Sequence, residues 1–338
     1  MQELERELDG LAAAGGFSGV VRVDRDGEIV VARAYGLADR AHGIANAVDT
    51  QFAIASGTKG LTALAVVSLI EDGVLALSTT ARSVLGDDLP LIGDDVTVEQ
   101  LLSHRSGIGD YVDEDASGYD VDDHVLSVPV HELATTEDYL AVLGGRPAKF
   151  APGERFDYCN SGFVVLALVA ERTSGVPFHE LVRARVCAPA GMVDTAFLRS
   201  DELPGRAAIG YLRTGGGTRT NVFHLPVRGS GDGGVYTTAA DVSRLWDALF
   251  AGRIVSPEWV AELMRARSDA PGHRPPQRYG FGFWLDATRD ISILEGLDAG
   301  VGFTTVHDPG GRIGFTVIVN SIEGAGAVVR LLRARVVE

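Results

Sequence analysis

Strand-like apolar runs cluster at the two ends of this chain, and apolar residues at helical spacing fill the stretches between. Leu4 to Ala14 reads as an acidic amphipathic helix. Ser18–Val23 and Glu28–Arg33 read as strands, and the Asp26-Gly27 step within Asp24-Arg25-Asp26-Gly27 marks a hairpin turn between them. Phe52-Ala53-Ile54-Ala55 then leads into Ser56, and Leu61 to Ile70 carries a helical apolar pattern that stops at Asp72-Gly73. Residues from about 80 to 225 are mostly helical and loop-rich by pattern. Thr238 followed by Asp241 predicts a helix start, with an apolar helix running to Phe250. Tyr279–Leu285, Ile291–Leu294, Gly302–Val306 and Gly314–Asn320 read as strands, and Ala325–Val336 as a closing helix. The order predicts an α/β (α+β) fold in which the two ends build one antiparallel sheet covered by terminal helices. Residues 1–80 and 226–338 form that discontinuous unit, and 81–225 form an inserted, mostly helical domain. There is no internal repeat and no low-complexity tract.

Composition narrows the function classes. Forty-six acidic against thirty basic residues give a net charge of −16, which disfavours nucleic acid and anionic membrane surfaces as partners. No apolar run approaches a membrane span, the longest being the eight residues Phe163–Ala170. The N-terminal residues lack the basic and apolar segments of a secretory signal, and two cysteines, Cys159 and Cys187, make no disulfide framework. A cytoplasmic setting follows as the expectation.

Among the thirty basic residues only two are lysines, Lys59 and Lys149. Arginine keeps its proton, whereas a desolvated lysine can lose it and act as a base. Lys59 stands three residues after Ser56, in Ala55-Ser56-Gly57-Thr58-Lys59. If a helix begins at Ser56, the two side chains share one face near its N-terminus, where the dipole favours an alkoxide and lowers the lysine's proton affinity. That pairing activates a serine nucleophile.

A second segment, Ala151-Pro152-Gly153-Glu154-Arg155-Phe156-Asp157-Tyr158-Cys159-Asn160-Ser161-Gly162, leads into a long apolar helix. With Ser56-Gly57-Thr58-Lys59 it resembles the serine β-lactamase-like superfamily, which includes class C β-lactamases, D-alanyl-D-alanine peptidases and related esterases. The pattern there is Ser-x-x-Lys, then Tyr-x-Asn after a Pro-Gly turn. Leu101–Ile108, Ala188–Thr195, Gly233–Asp241 and Tyr279–Trp284 fit the same superfamily in order and spacing. The resemblance implies an active site between the two domains, with Ser56 as acylated nucleophile and Lys59 and Tyr158 as proton carriers. It also implies Asn160 as the residue that orients Lys59 and substrate. A phenol beside a cationic lysine is expected to ionise more easily.

The superfamily's third motif, a Lys/His-Thr-Gly strand, falls here on Leu294, Glu295 and Gly296, so the glycine is kept and the cation is not. Leu297 is then expected to supply the second backbone N–H of an oxyanion hole, beside that of Ser56. A glutamate facing the cleft would repel a substrate carboxylate, whereas one turned to solvent or paired with arginine would not. The acidic stretch Asp110, Asp113, Glu114, Asp115, Asp120, Asp122 and Asp123 reads as a solvated loop; bordering the cleft, it would favour cationic or neutral substrates. Gly229–Gly234 fits a nucleotide-binding glycine string but follows no strand and reads as a turn-rich loop. The eight histidines form no ligand motif, so neither a metal nor a cofactor is expected. Cys159 is expected to pack against the wall of the site.

The sequence thus predicts a serine hydrolase forming a Ser56 acyl-enzyme with a small neutral or amine-bearing ester or amide, with acyl transfer open from the same intermediate. The alternatives are a D-amino-acid amidase or aminopeptidase, a D-alanyl-D-alanine carboxypeptidase or β-lactamase, and a catalytically impaired binding module of the same fold. The partner is a small-molecule substrate; the oligomeric state is left open.

Overall fold

A computed structural model describes residues 2–215, 217–272 and 275–337. Met1 and Glu338, the outer ends of the discontinuous unit expected from the sequence, lie outside the described residues, as do 216, 273 and 274. Helix α1 (Gln2–Gly15) leads into strands β1 (Ser18–Arg25) and β2 (Glu28–Tyr35). Helix α2 (Thr58–Glu71), helix α3 (Asn160–Ser174) and helix α4 (Ala239–Phe250) follow among loops and short helical turns. The chain then adds β3 (Ser268–Ala270), β4 (Gln277–Tyr279), β5 (Trp284–Asp286), β6 (Ser292–Asp298), β7 (Val301–Asp308), β8 (Ile313–Ser321) and helix α5 (Ala325–Leu332).

These strands form one eight-stranded sheet in the order β2-β1-β8-β7-β6-β5-β4-β3, antiparallel throughout. The two chain ends meet at β1 and β8, where Val20 pairs with Ile318 and Val21 with Val317. Side chains alternate between faces, as strand geometry requires. Val21, Val23, Phe315, Val317 and Val319 pack with Leu4 and Leu8 of α1 and with Val328 and Leu332 of α5. Val20, Leu294, Phe303 and Ile318 face the other way, into a larger core shared with α2, α3 and α4. Helices α2 and α3 are buried almost all round, which is why their apolar residues run continuously and leave no polar stripe.

Three details depart from the pattern reading. The stretch expected as one strand, Tyr279–Leu285, is the end of β4 and most of β5 joined by a tight turn closed by Gly280 N–H donating to Phe283 O. A hairpin, Tyr211–Thr214 with Gly217–Thr220, lies within the stretch read as helical and loop-rich. The helix expected to begin at Ser56 begins at Thr58, after a tight turn over Ala55–Gly57.

That turn is seated on the sheet. Phe52–Ala53 pairs with Tyr236–Thr237, and Ile54 N–H donates to Val235 O at 2.9 Å. On the other side, Gly296 of β6 lies against it so closely that a Cβ there would sit 2.8 Å from Ser56 N and 2.9 Å from Gly57 N. Leu294, two residues earlier on the same face, is 2% exposed and packs on Gly60 of α2. The position where the superfamily pattern has a cation is therefore filled by an apolar contact between strand and helix.

Candidate active site

Ser56 sits in the tight turn just before α2, half-buried, after an Ala55 whose φ of +44° lies in the left-handed region that a non-glycine residue seldom adopts. Such local strain persists only where surrounding contacts impose it, and here strands on both sides do so. Lys59, one turn on, is 2% exposed. Its Nζ donates to Ser56 Oγ at 2.9 Å, to Asn160 Oδ1 at 2.7 Å and to the Asp232 carbonyl oxygen at 2.8 Å. Burial lowers its proton affinity, against the pull of Asp232, Glu114, Asp110 and Asp298. The three acceptors are not equivalent. Asn160 Oδ1 and the carbonyl can only accept, so a neutral Lys59 must spend its two N–H groups on them and turn its lone pair to Ser56 Oγ–H.

Asn160 is held in that orientation. Its Nδ2 donates to Val112 O at 3.0 Å and to Glu114 Oε1 at 2.9 Å, which leaves Oδ1 for Lys59. The N-terminus of α3 is closed by Asp110, whose carboxylate accepts from Asn160 N at 2.7 Å and Ser161 N at 2.9 Å. Burial nevertheless pushes the Asp110 carboxyl above its ordinary range. Tyr111 OH donates to Asp232 Oδ2 at 2.6 Å and ties this loop to Gly229–Gly234. The acidic stretch is therefore divided: Asp110 is 7% exposed and Glu114 reaches Asn160, while Asp115, Asp120 and Asp123 are exposed. The glycine string is a loop, and its Asp232 carbonyl is one of the three partners of Lys59.

Tyr158 lines the open cleft with Ser56, lies 4.9 Å from Lys59 Nζ by its ring centroid, and stacks on Trp284 at 5.8 Å. The expectation that its phenol ionises easily is reversed. Burial pushes it well above its ordinary value, and Glu114, Asp232 and Asp110 push the same way. Lys59, in contrast, is pushed by burial toward its neutral form. Cys159, between the two motif residues, is 4% exposed, and burial raises its thiol too.

Leu297, at the end of β6, is exposed and stands beside Ser56 on the lining of two spaces. One is a small cavity of about 50 Å³ lined by Tyr111, Glu114, Asn160, Asp232 and Asp298. Burial raises the Asp298 carboxyl to about 7. The other is an open cleft of about 740 Å³ reaching Phe156, Trp284 and Arg330. Glu295 borders that cleft but is paired with Arg333 at 2.9 Å, so a cation from the far end of the chain meets its charge. Among the described residues no group of histidines, cysteines or carboxylates could hold a metal ion, and no helix is long and apolar enough to cross a membrane.

A family model described as beta-lactamase matches residues 4–337. The chain belongs to the beta-lactamase family. Members of this family similar to it are serine hydrolases. Esterase EstB of Burkholderia gladioli is 34% identical over 307 residues, covering 82% of this chain and 76% of the esterase. A putative penicillin-binding protein, PbpX of Bacillus subtilis, is 29% identical over 270 residues, covering 80% of this chain and 62% of PbpX. The chain thus spans less than two thirds of that relative. A solved penicillin-binding protein from Bacillus halodurans superposes with a TM-score of 0.90 at 34% identity, covering 97% of this chain and 99% of the other. Family membership accounts for the order of the motifs. The contributions of His104, Asp110, Asp232, Trp284 and Arg333 are legible only in the structure, because each depends on a partner far away in sequence.

Proposed function

We propose that the chain hydrolyses small neutral or amine-bearing esters or amides through an acyl-enzyme on Ser56. The observation that carries this reading is the pattern of partners around Lys59 Nζ, in which Ser56 Oγ–H alone can donate. Neutral Lys59 takes the Ser56 proton as Oγ attacks the substrate carbonyl carbon. The backbone N–H groups of Ser56 and Leu297 stabilise the oxyanion. Tyr158 passes its hydroxyl proton to the leaving oxygen or nitrogen and recovers one from Lys59, which ends neutral. In the second half Lys59 takes a proton from water as that water attacks the acyl carbon, and Ser56 leaves with the proton returned. Transfer to an alcohol or amine follows the same steps with that nucleophile in place of water.

Similarity to an esterase supports an ester substrate. The carboxylates of Glu114, Asp232 and Asp298 beside Ser56 support a second reading, a substrate whose acyl part bears an amine, as an amino-acid amidase or aminopeptidase requires. Leu294, buried against Gly60, supplies no cation for a substrate carboxylate, which counts against β-lactams. The test is intact mass after treatment with a fluorophosphonate, for wild type and a folded Ser56→Ala control. Turnover of p-nitrophenyl acetate, glycine p-nitroanilide and a chromogenic cephalosporin is measured alongside. One adduct on the wild type with ester or anilide turnover is expected; no adduct and no turnover would sink the hydrolase reading, and rapid cephalosporin turnover would sink the substrate class.

A further inference from the structure

His104 is 1% exposed and belongs to none of the steps above. It lies on the loop after Leu101–Leu102, and its φ of +54° is left-handed. Its backbone and its ring grip the same short segment. The His104 carbonyl accepts from Asp157 N at 2.9 Å, and His104 Nδ1 accepts from Cys159 N at 3.1 Å. Tyr158 stands between those two donors. Its ring lies 4.4 Å from the imidazole, which also packs against Phe163, Tyr279 and Phe156 at 4.9, 4.7 and 5.9 Å. Neighbouring bonds extend the grip: Gly153 N–H donates to Arg105 O and Lys149 N–H to Gly107 O, both at 2.8 Å. The loop His104–Gly107 is thus a platform along which the chain from Lys149 to Cys159 is laid.

Two further facts specify the imidazole. Because Nδ1 accepts a backbone N–H, the ring proton must sit on Nε2, and the ring must be neutral. Nε2 is buried and has no hydrogen-bond partner among the described residues, so its proton lies among aromatic rings and not on an oxygen. A buried donor left without a partner costs stability and calls for a compensating role. Burial and the nearby Lys59 hold the ring's proton affinity well down, consistent with the neutral form the geometry demands.

We propose that His104 is a positioning residue for Tyr158: through paired bonds to Asp157 N and Cys159 N it holds the phenol at Ser56. This rests on the reading of Tyr158 as a proton carrier. The role needs an acceptor at the Nδ1 position and a residue that tolerates left-handed backbone. Asparagine offers both, with Oδ1 in place of Nδ1; glycine offers only the second.

The test compares wild type, His104→Asn, His104→Gly and Tyr158→Phe. Three quantities are read: hydrogen exchange at the Cys159 amide, the rate of Ser56 labelling by a fluorophosphonate, and kcat and KM for p-nitrophenyl acetate. His104→Gly is expected to speed Cys159 exchange more than about tenfold, while amides in the middle of α3 stay protected. It is also expected to lower kcat by about ten- to a hundredfold with KM within about twofold, the mark of lost orientation at a folded site. His104→Asn should restore both to within about fivefold. Wild-type kcat in His104→Gly, or an equal loss in His104→Asn, would overturn the proposal. Should His104→Gly fail to fold, His104→Ala takes its place, since it too removes the acceptor: wild-type kcat and Cys159 exchange there would overturn the proposal. Full turnover in Tyr158→Phe overturns the reading of Tyr158 itself. Loss in Tyr158→Phe with none in His104→Gly overturns only the role of His104.

Discussion

Gly296→Ala is the most searching single substitution for this site. The added methyl would sit 2.8 Å from Ser56 N and 2.9 Å from Gly57 N, where ordinary contact begins near 3.4 Å, and it would also press on the Ile54 carbonyl oxygen. Neither side yields easily. Strand β6 is paired with β7 over seven residues, from Ser292↔His307 to Asp298↔Val301. The Ser56 turn is held by Ile54 N–H to Val235 O and by Val235 N–H to Thr58 Oγ1 at 3.1 Å. Strand and turn must therefore part by roughly 0.6 Å at Ser56 N, and by more at the Ile54 oxygen. If the N–H groups of Ser56 and Leu297 together hold the oxyanion, a gap of that size weakens one of them. Losing one such donor costs about a hundredfold or more in kcat, or about 2.7 kcal/mol at the lower end. The overpacking costs about 1–3 kcal/mol of stability. The assay is kcat and KM on p-nitrophenyl acetate with thermal unfolding in parallel. Gly10→Ala serves as the control, because a Cβ there meets nothing within 4 Å. A Gly296→Ala protein that melts with wild type and keeps kcat within about threefold would refute the reasoning, since neither the close approach nor the oxyanion role could then stand.

Three further outcomes are expected. Lys59→Arg keeps the charge but cannot surrender its proton, so kcat/KM should fall by about 10² to 10⁴ at every pH; in wild type it should rise with pH through an ionisation below that of free lysine. Glu114→Gln should raise KM for glycine p-nitroanilide by about tenfold while leaving p-nitrophenyl acetate within about twofold, and an equal effect on both would remove Glu114 from amine recognition. Asp298→Asn bears on stability. Burial raises that carboxyl from 3.8 to about 7, so its ionised form is disfavoured in the fold. Its destabilising effect is absent below the unfolded value, grows as pH rises through that interval and is complete above the folded value. Wild type should therefore lose melting temperature relative to Asp298→Asn between pH 4 and 8, and parallel curves would count against the assignment.

Local chemistry and order along the chain were legible without coordinates. The three-residue spacing of Ser56 and Lys59 at a predicted helix start is enough to expect their side chains on one face. The turn that actually holds Ser56 before α2, in contrast, is imposed by the strands around it. The strand runs at the two ends predict a shared sheet because each exposes an apolar face that needs a partner. Tertiary structure decided the electrostatics. Whether Tyr158 ionises easily depends on how much water and how many carboxylates surround it; Glu114 and Asp232 come from segments 44 and 74 residues away. The fate of Glu295 turned on Arg333, which reaches it from the end of α5. His104 was visible only as one residue of a recurring segment, since its bonds to Asp157 and Cys159 cross more than fifty residues of chain. Burial and through-space charge depend on distances that only the fold sets, whereas spacing along one helix is set by the chain itself.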